Sequence, residues 1–237
     1  MRSLTGSPVI TRLGETFSFF RVYARDIASF LLYATFPVII IENFLSYYAA
    51  VYEFSPEIKS LPILIHFMYQ PIYTGGLIFM ISRLVSGDGW SVKESLLAGL
   101  GCWLNLLVVN VISSALIILG LFAFVVPGLV IFARLSLAEF SVVLERLSPI
   151  EALVHSNRIT KQFTWQIVGS VVLLSALLIG VKLLINIIIT TFSLKYLFVF
   201  MASELIIIIL WSTLTILLFR YYDLATKAFQ QDDANPV

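Results

Sequence analysis

The sequence predicts an all-α membrane protein of six transmembrane helices, built as three repeats of an interfacial amphipathic helix followed by a transmembrane hairpin. Three observations lead there. Of 237 residues, 59% are hydrophobic and 12% charged, about half the charged share of roughly 25% that coats an ordinary soluble domain. Long charge-free runs recur along the chain, and Lys and Arg gather in alternate connections between them. A mean hydropathy of +0.98 leaves too few polar groups to cover a water-soluble fold of this size.

The spans follow in order. A helix needs roughly 20 apolar residues to cross a hydrocarbon layer about 30 Å thick. The first span, about 27–50, begins after Asp26 and contains Glu42. The second, about 62–82, lies in the charge-free run between Lys59 and Arg83. Residues 95–133 carry no charge, and as one helix they would extend about 60 Å. They must therefore fold back as a hairpin at Gly120 and Pro127-Gly128, giving spans at about 97–119 and 125–145. The fifth, about 163–191, holds Lys182; the sixth, about 197–220, holds Glu204. A polar tail, 224–237, closes the sequence, with Asp232-Asp233 read as a solvated end.

Orientation comes from the basic residues. With the amino terminus inside, the cytoplasmic segments hold Arg2, Arg12, Arg21, Arg25, Arg83, Lys93, Arg146, Arg158, Lys161, Arg220 and Lys227, against Lys59 and Lys195 outside. Both termini are then cytoplasmic. The external connections, about 51–61, 120–124 and 192–196, are too short for an outer domain. No cleavable signal with an h-region and a small-residue cleavage site precedes the first span.

The repeat rests on what precedes each hairpin. Ser91-Val92-Lys93-Glu94 and Ser148-Pro149-Ile150-Glu151 both match the S-x-x-E capping box, in which serine takes an amide proton three residues on and glutamate reaches back. Pro149 suits the first helical position. The amino-terminal copy, Arg12-Leu13-Gly14-Glu15, keeps only the glutamate. Its helix places Leu13, Phe17, Phe20, Ala24 and Ile27 in one stripe, with Arg12, Glu15, Ser18, Arg21 and Arg25 around the rest. Such a helix fits the membrane interface with its arginines among anionic head groups; an ordinary interfacial linker has the same pattern.

The run Pro127-Gly128-Leu129-Val130-Ile131-Phe132-Ala133-Arg134-Leu135, continuing Ser136-Leu137-Ala138, leads through Val142-Val143-Leu144-Glu145 to Ser148-Pro149-Ile150-Glu151-Ala152-Leu153, with Ser156, Ile159, Thr160 and Trp165 beyond. This order of features, closing on Leu218-Phe219-Arg220-Tyr221-Tyr222, resembles the YciC-like bacterial inner-membrane proteins. It is also similar to the membrane domain attached to some bacterial glycerophosphodiester phosphodiesterases. The resemblance covers 95–222 and extends to the amino-terminal part by layout only. It implies a six-span protein of the bacterial inner membrane and supplies no reaction. Glu139 departs from the family, which has proline or an apolar residue there. No phosphodiesterase domain follows in the sequence, so that enzyme's carboxylates are not carried over.

Charges inside spans are costly, roughly 2.5–3.5 kcal/mol at the bilayer centre on insertion scales, and so mark partners, water or function. Glu42, Arg134, Glu139, Lys182 and Glu204 are such charges, and His66, Asn105, Asn110 and Asn186 add neutral polarity. Counting ~1.5 Å per residue from the outer ends puts Glu42, Arg134, Lys182 and Glu204 about 12–15 Å deep and His66 about 8 Å. Glu139 lies nearer the cytoplasm. Two readings stand. In one, buried ion pairs such as Arg134 with Glu42 and Lys182 with Glu204 fix helix register. In the other, Arg134, Lys182, Glu42, Glu204, His66 and Glu139 belong to a hydrated site for a ligand or lipid head group, with Arg134 as a bidentate phosphate anchor. Asn105 and Asn110 are read as interhelical hydrogen bonds.

Other functions are excluded or unsupported. A net charge of +1 offers no basic face for nucleic acid. The single cysteine, Cys102, permits no internal disulfide and is read as a small apolar filler. His66 and His155 fall on opposite sides of the membrane, so no histidine metal site assembles, and no HExxH, P-loop or GxSxG motif is present. Gly75-Gly76 is read as a close-packing point or a local kink rather than a phosphate loop. The sequence thus leads to a non-enzymatic protein without cofactor, whose partners are membrane lipids and a membrane or periplasmic protein. It would bind or help to move phospholipids or support envelope homeostasis. A channel or secondary transporter for a small polar solute and a membrane scaffold are the competing readings.

Overall fold

The computed structural model describes residues 9–52, 55, 60–191 and 197–234; Arg2, Lys59, Lys195 and the side chains of Asp232 and Asp233 lie outside the described set. The elements are α1 (Val9–Val51), α2 (Leu61–Ser86), α3 (Val92–Gly101), α4 (Trp103–Ala123), α5 (Val125–Leu135), α6 (Ala138–Leu144), α7 (Pro149–Ile159), α8 (Thr164–Thr191) and α9 (Leu197–Ala234). No strand occurs among the described residues. Among the described residues six stretches are long and apolar enough to cross a membrane: Val9–Ala49, Leu61–Ser86, Trp103–Ala123, Val125–Leu144, Thr164–Thr191 and Phe198–Gln231. The chain is a polytopic, all-α membrane protein. Apolar side chains cover its outside, as at the α4–α5 tip, where Phe122 is 85% and Phe124 77% exposed. A soluble monomer rarely presents such a surface to water; hydrocarbon accepts it.

A separate short helix precedes two spans twice, α3 before α4 and the α5–α6 pair and α7 before α8 and α9, while before the first two spans it is the amino-terminal part of α1. In the first copy, the short helix runs straight into the span, and only Tyr23, at φ −104° and ψ 16°, breaks the helical path between them. In the second, α3 turns at Cys102 into α4, so the third span starts at Trp103 rather than near 97. In the third, Ser148 opens α7: the Glu151 carboxylate accepts from the Ser148 backbone N–H at 3.1 Å and from its hydroxyl at 2.7 Å. Ser91 opens α3 by accepting from the Glu94 N–H at 3.2 Å. The last helix continues to Ala234, well past the span end expected near 220, so most of the polar tail from 224 is helical.

The buried face of the amino-terminal helix is rotated from the expected stripe: Ile27 is buried and Leu13 and Phe20 pack against the core, but Phe17 does not. Thr16 and Phe19 are buried, while Phe17 is 41% exposed. The reason is tertiary: Arg220 of α9 lies over the Phe19 ring, 5.2 Å from its centroid, and Val9 lies beside Gly169 of α8. Packing against α8 and α9 thus selects the buried face, and Phe17 turns outward.

Helix α1 packs antiparallel to both α2 and α9, α2 packs on α3, α4 on α5, and α6 on α7. The core lies where these meet, around Ile27, Phe30, Ile78, Ile81, Phe140, Ile167 and Tyr221, all essentially out of solvent. Gly75 and Gly76 let α3 approach α2: a Cβ on Gly76 would stand 2.9 Å from the Ser95 carbonyl oxygen. Gly87, at φ 75°, ends α2 in the left-handed conformation, its N–H reaching the Arg83 and Leu84 carbonyls. Cys102 is buried, as expected of a filler, and its Sγ also takes a contact from Arg146 Nη1 at 2.7 Å.

The fourth span is interrupted. Helix α5 stops at Leu135 and α6 starts at Ala138. The buried Ser156 hydroxyl of α7 fills the gap, donating to the Arg134 carbonyl at 2.8 Å and accepting from the Leu137 N–H at 3.2 Å. Thr160 adds a 3.3 Å bond to the same carbonyl. Backbone groups freed inside a span need such partners, because hydrocarbon supplies none.

Candidate functional site

The expected intramembrane residues separate into three places. Glu42 on α1, His66 on α2, Lys182 on α8 and Glu204 on α9 line one cavity of about 350 Å3, together with Asn186, Tyr69 and Tyr73. Glu42, His66 and Glu204 also line an adjoining cavity of about 360 Å3, so they form the wall between two hollows. Convergence of these four residues follows from topology: α1 is flanked by α2, α8 and α9, and each of these helices carries polar side chains into the shared space.

The partners differ from the pairs expected. Glu42 Oε1 lies 3.3 Å from His66 Nδ1 without a well-formed hydrogen bond, and that oxygen is otherwise unpartnered and shut from solvent. The Glu204 carboxylate accepts from Asn43 Nδ2 at 2.7 Å, and the same amide nitrogen donates to the Ile39 carbonyl at 2.9 Å. Lys182 forms no ion pair among the described residues. It lines the cavity as a free cation beside two carboxylates. Asn43 is the residue that the sequence reading missed. It stands next to Glu42 in an otherwise apolar run, and that neighbouring polarity was the available signal.

Arg134 does not join this cavity. Its guanidinium donates to Asn157 Oδ1 of α7 at 3.2 Å, and its carbonyl is held by Ser156 and Thr160. The expected Arg134–Glu42 pair is therefore not formed. Equal depth along six idealised helices does not make residues neighbours; the arrangement of helices in the plane does. The α5 half of the fourth span, which carries Arg134, packs against α4, α7 and α8, whereas Glu42 faces His66 of α2.

Glu139 lines a third cavity of about 210 Å3 with Asn110, Ser113, Ser114 and Ser136. Asn105 is exposed and does not make the interhelical bond expected of it, whereas Asn110 on α4 reaches the Glu139 carboxylate on α6. A further cluster went unread. His155 Nδ1 lies 3.1 Å from Ser141 Oγ and 3.3 Å from Glu145 Oε2, Tyr222 donates to Glu145 Oε1, and Phe229 meets the His155 ring edge-on. Both contacts of the imidazole use one nitrogen, so this is no Ser–His–carboxylate relay. The cluster ties α6 and α7 to α9.

Among the described residues no three His, Cys, Asp or Glu side chains gather to hold a metal ion. No family model matches the chain. No curated protein matches it, and no solved structure does.

Proposed function

We propose that this is a non-enzymatic protein of the bacterial inner membrane, YciC-like in type, with both termini cytoplasmic, that takes a phospholipid head group into the cavity between α1, α2, α8 and α9. One observation carries the reading: two carboxylates, a lysine and a histidine from four helices converge on a hollow of about 350 Å3 in an otherwise apolar body. Charges in such a place need a partner or water. A head group with both an ammonium and a phosphate matches the set, the ammonium against Glu42 and Glu204 and the phosphate on Lys182. A purely anionic head group fits less well, because the guanidinium of Arg134 lies elsewhere.

The test is native mass spectrometry of gently purified protein, comparing wild type with Lys182→Ala and Glu42→Gln. A zwitterionic phospholipid retained by wild type and lost by both variants supports the reading. Equal lipid content in all three, with the variants merely less stable, reduces the cavity to a set of helix ties.

A second reading, a carrier for a small polar solute, is favoured by Tyr73. This side chain lines the head-group cavity and lies within the electrostatic reach of both Glu42 and Glu139. Solute flux into liposomes, abolished by Tyr73→Phe, would support the carrier over the lipid site.

A further inference from the structure

The cavity around Glu139 is separate from the head-group site, and its chemistry is different. Its polar lining consists of one carboxylate, three serine hydroxyls (Ser113, Ser114 and Ser136) and the Asn110 amide, contributed by α4, the α5–α6 break and α6. No cationic side chain lines it, and Glu139 has no ion pair among the described residues. Ser113 Oγ is shut from solvent with no hydrogen-bond partner. Ser136 donates its proton to the Ala133 carbonyl at 2.9 Å, which leaves the lone pairs of its oxygen free to accept. Asn110 lies within interaction reach of the carboxylate.

We infer that this cavity binds one monovalent cation of sodium size, with the Glu139 carboxylate as charged ligand and the Ser113 and Ser136 oxygens beside it. A carboxylate inside a span must be neutralised by a proton, a partner or an ion. Every group able to ligate here is a hard oxygen donor, which suits alkali and alkaline-earth ions and not soft metals. A single carboxylate balances a single positive charge; a dipositive ion would leave the site with an excess inside the hydrocarbon. Ser136 and Glu139, three residues apart beside the interruption between α5 and α6, share the wall of one hollow.

The experiment is thermal unfolding of the full chain in detergent, in sodium chloride against choline chloride at matched ionic strength. Wild type, Glu139→Gln and Ser113→Ala are compared. Wild type is expected to gain about 3–5 °C in Tm for each tenfold rise in sodium above its dissociation constant, with no such gain in choline. Glu139→Gln keeps the shape and loses the sodium response; Ser113→Ala, which keeps the charge, needs at least tenfold more sodium for the same rise. Acidification should suppress the wild-type response, because a proton competes for the same oxygen atoms. Identical Tm values in sodium and choline for wild type overturn the proposal, and so does a full sodium response in Glu139→Gln. A Tm that follows pH through Glu139 but ignores sodium overturns it in favour of proton binding alone. If Glu139→Gln fails to fold, the comparison of wild type with Ser113→Ala decides by itself. None of these outcomes depends on the head-group cavity.

Discussion

Gly99 of α3 sits directly on the Ile72 carbonyl of α2: a methyl group on its α-carbon would stand 2.1 Å from that oxygen and 2.8 Å from the Gly76 nitrogen. Backbone on both sides leaves nothing flexible to move aside. Gly99→Ala should therefore push α3 off α2 and destabilise the protein by at least about 2 kcal/mol. Gly180→Ala, where nothing lies within 4 Å, is the control and should gain about 0.5–1 kcal/mol from helix propensity. Thermal unfolding in detergent reads both; equal Tm values for the two variants would contradict the close contact.

Ser156→Ala removes one hydroxyl and orphans two backbone groups, the Arg134 carbonyl and the Leu137 N–H. The expected cost is about 1–3 kcal/mol, with Thr160 retaining part of the carbonyl contact. The double variant with Thr160→Val should be worse than the sum of the singles. Additive losses would mean that water already serves the break.

The Asn43–Glu204 bond joins the first and last spans across 161 positions of sequence. A double-mutant cycle with Asn43→Ala and Glu204→Ala should give a coupling of about 0.6 kcal/mol, the average for polar pairs between spans, and at most about 1.7 kcal/mol. A coupling near zero would show that the contact adds nothing to helix association.

Glu151 carries the pH prediction. The Ser148 hydroxyl and backbone N–H both donate to its carboxylate and hold its pKa below the usual carboxylate range. A lowered folded value means stability that is present above the ordinary carboxylate pKa and is lost as pH falls through the lowered one. The start of α7 should loosen only in that acid window. Carboxyl chemical shifts followed by NMR will check this: Ser148→Ala should move the Glu151 midpoint upward, and an unmoved midpoint would remove the serine hydroxyl from the account.

The span count was legible because it depends on one-dimensional facts, charge-free length and turn residues, as in the run 95–133 with Gly120 and Pro127-Gly128. The capping serines were legible for the same reason, since Ser148 and Glu151 need only their own three-residue spacing. The candidate site was half legible. Glu42, His66, Lys182 and Glu204 could be named from their polarity, and they share a cavity. Arg134 could not be placed, because nothing in the local pattern says that α7 folds back along the fourth span to claim its side chain and carbonyl. Phe17 was misassigned for a similar reason: helical periodicity marks an apolar face, but Arg220, two hundred residues away, decides which neighbour is buried.

The plug that Ser156 makes in the fourth span also sets an order of events. The ribosome makes the Arg134–Leu137 break before it makes Ser156 and Thr160, so the fourth span reaches the bilayer with an amide and a carbonyl still unmatched. Until α7 has been translated, that segment must either wait in the insertion machinery or continue as an unbroken helix that satisfies itself. The broken form, held by Ser156 and Thr160, belongs to a chain synthesised at least as far as Thr160.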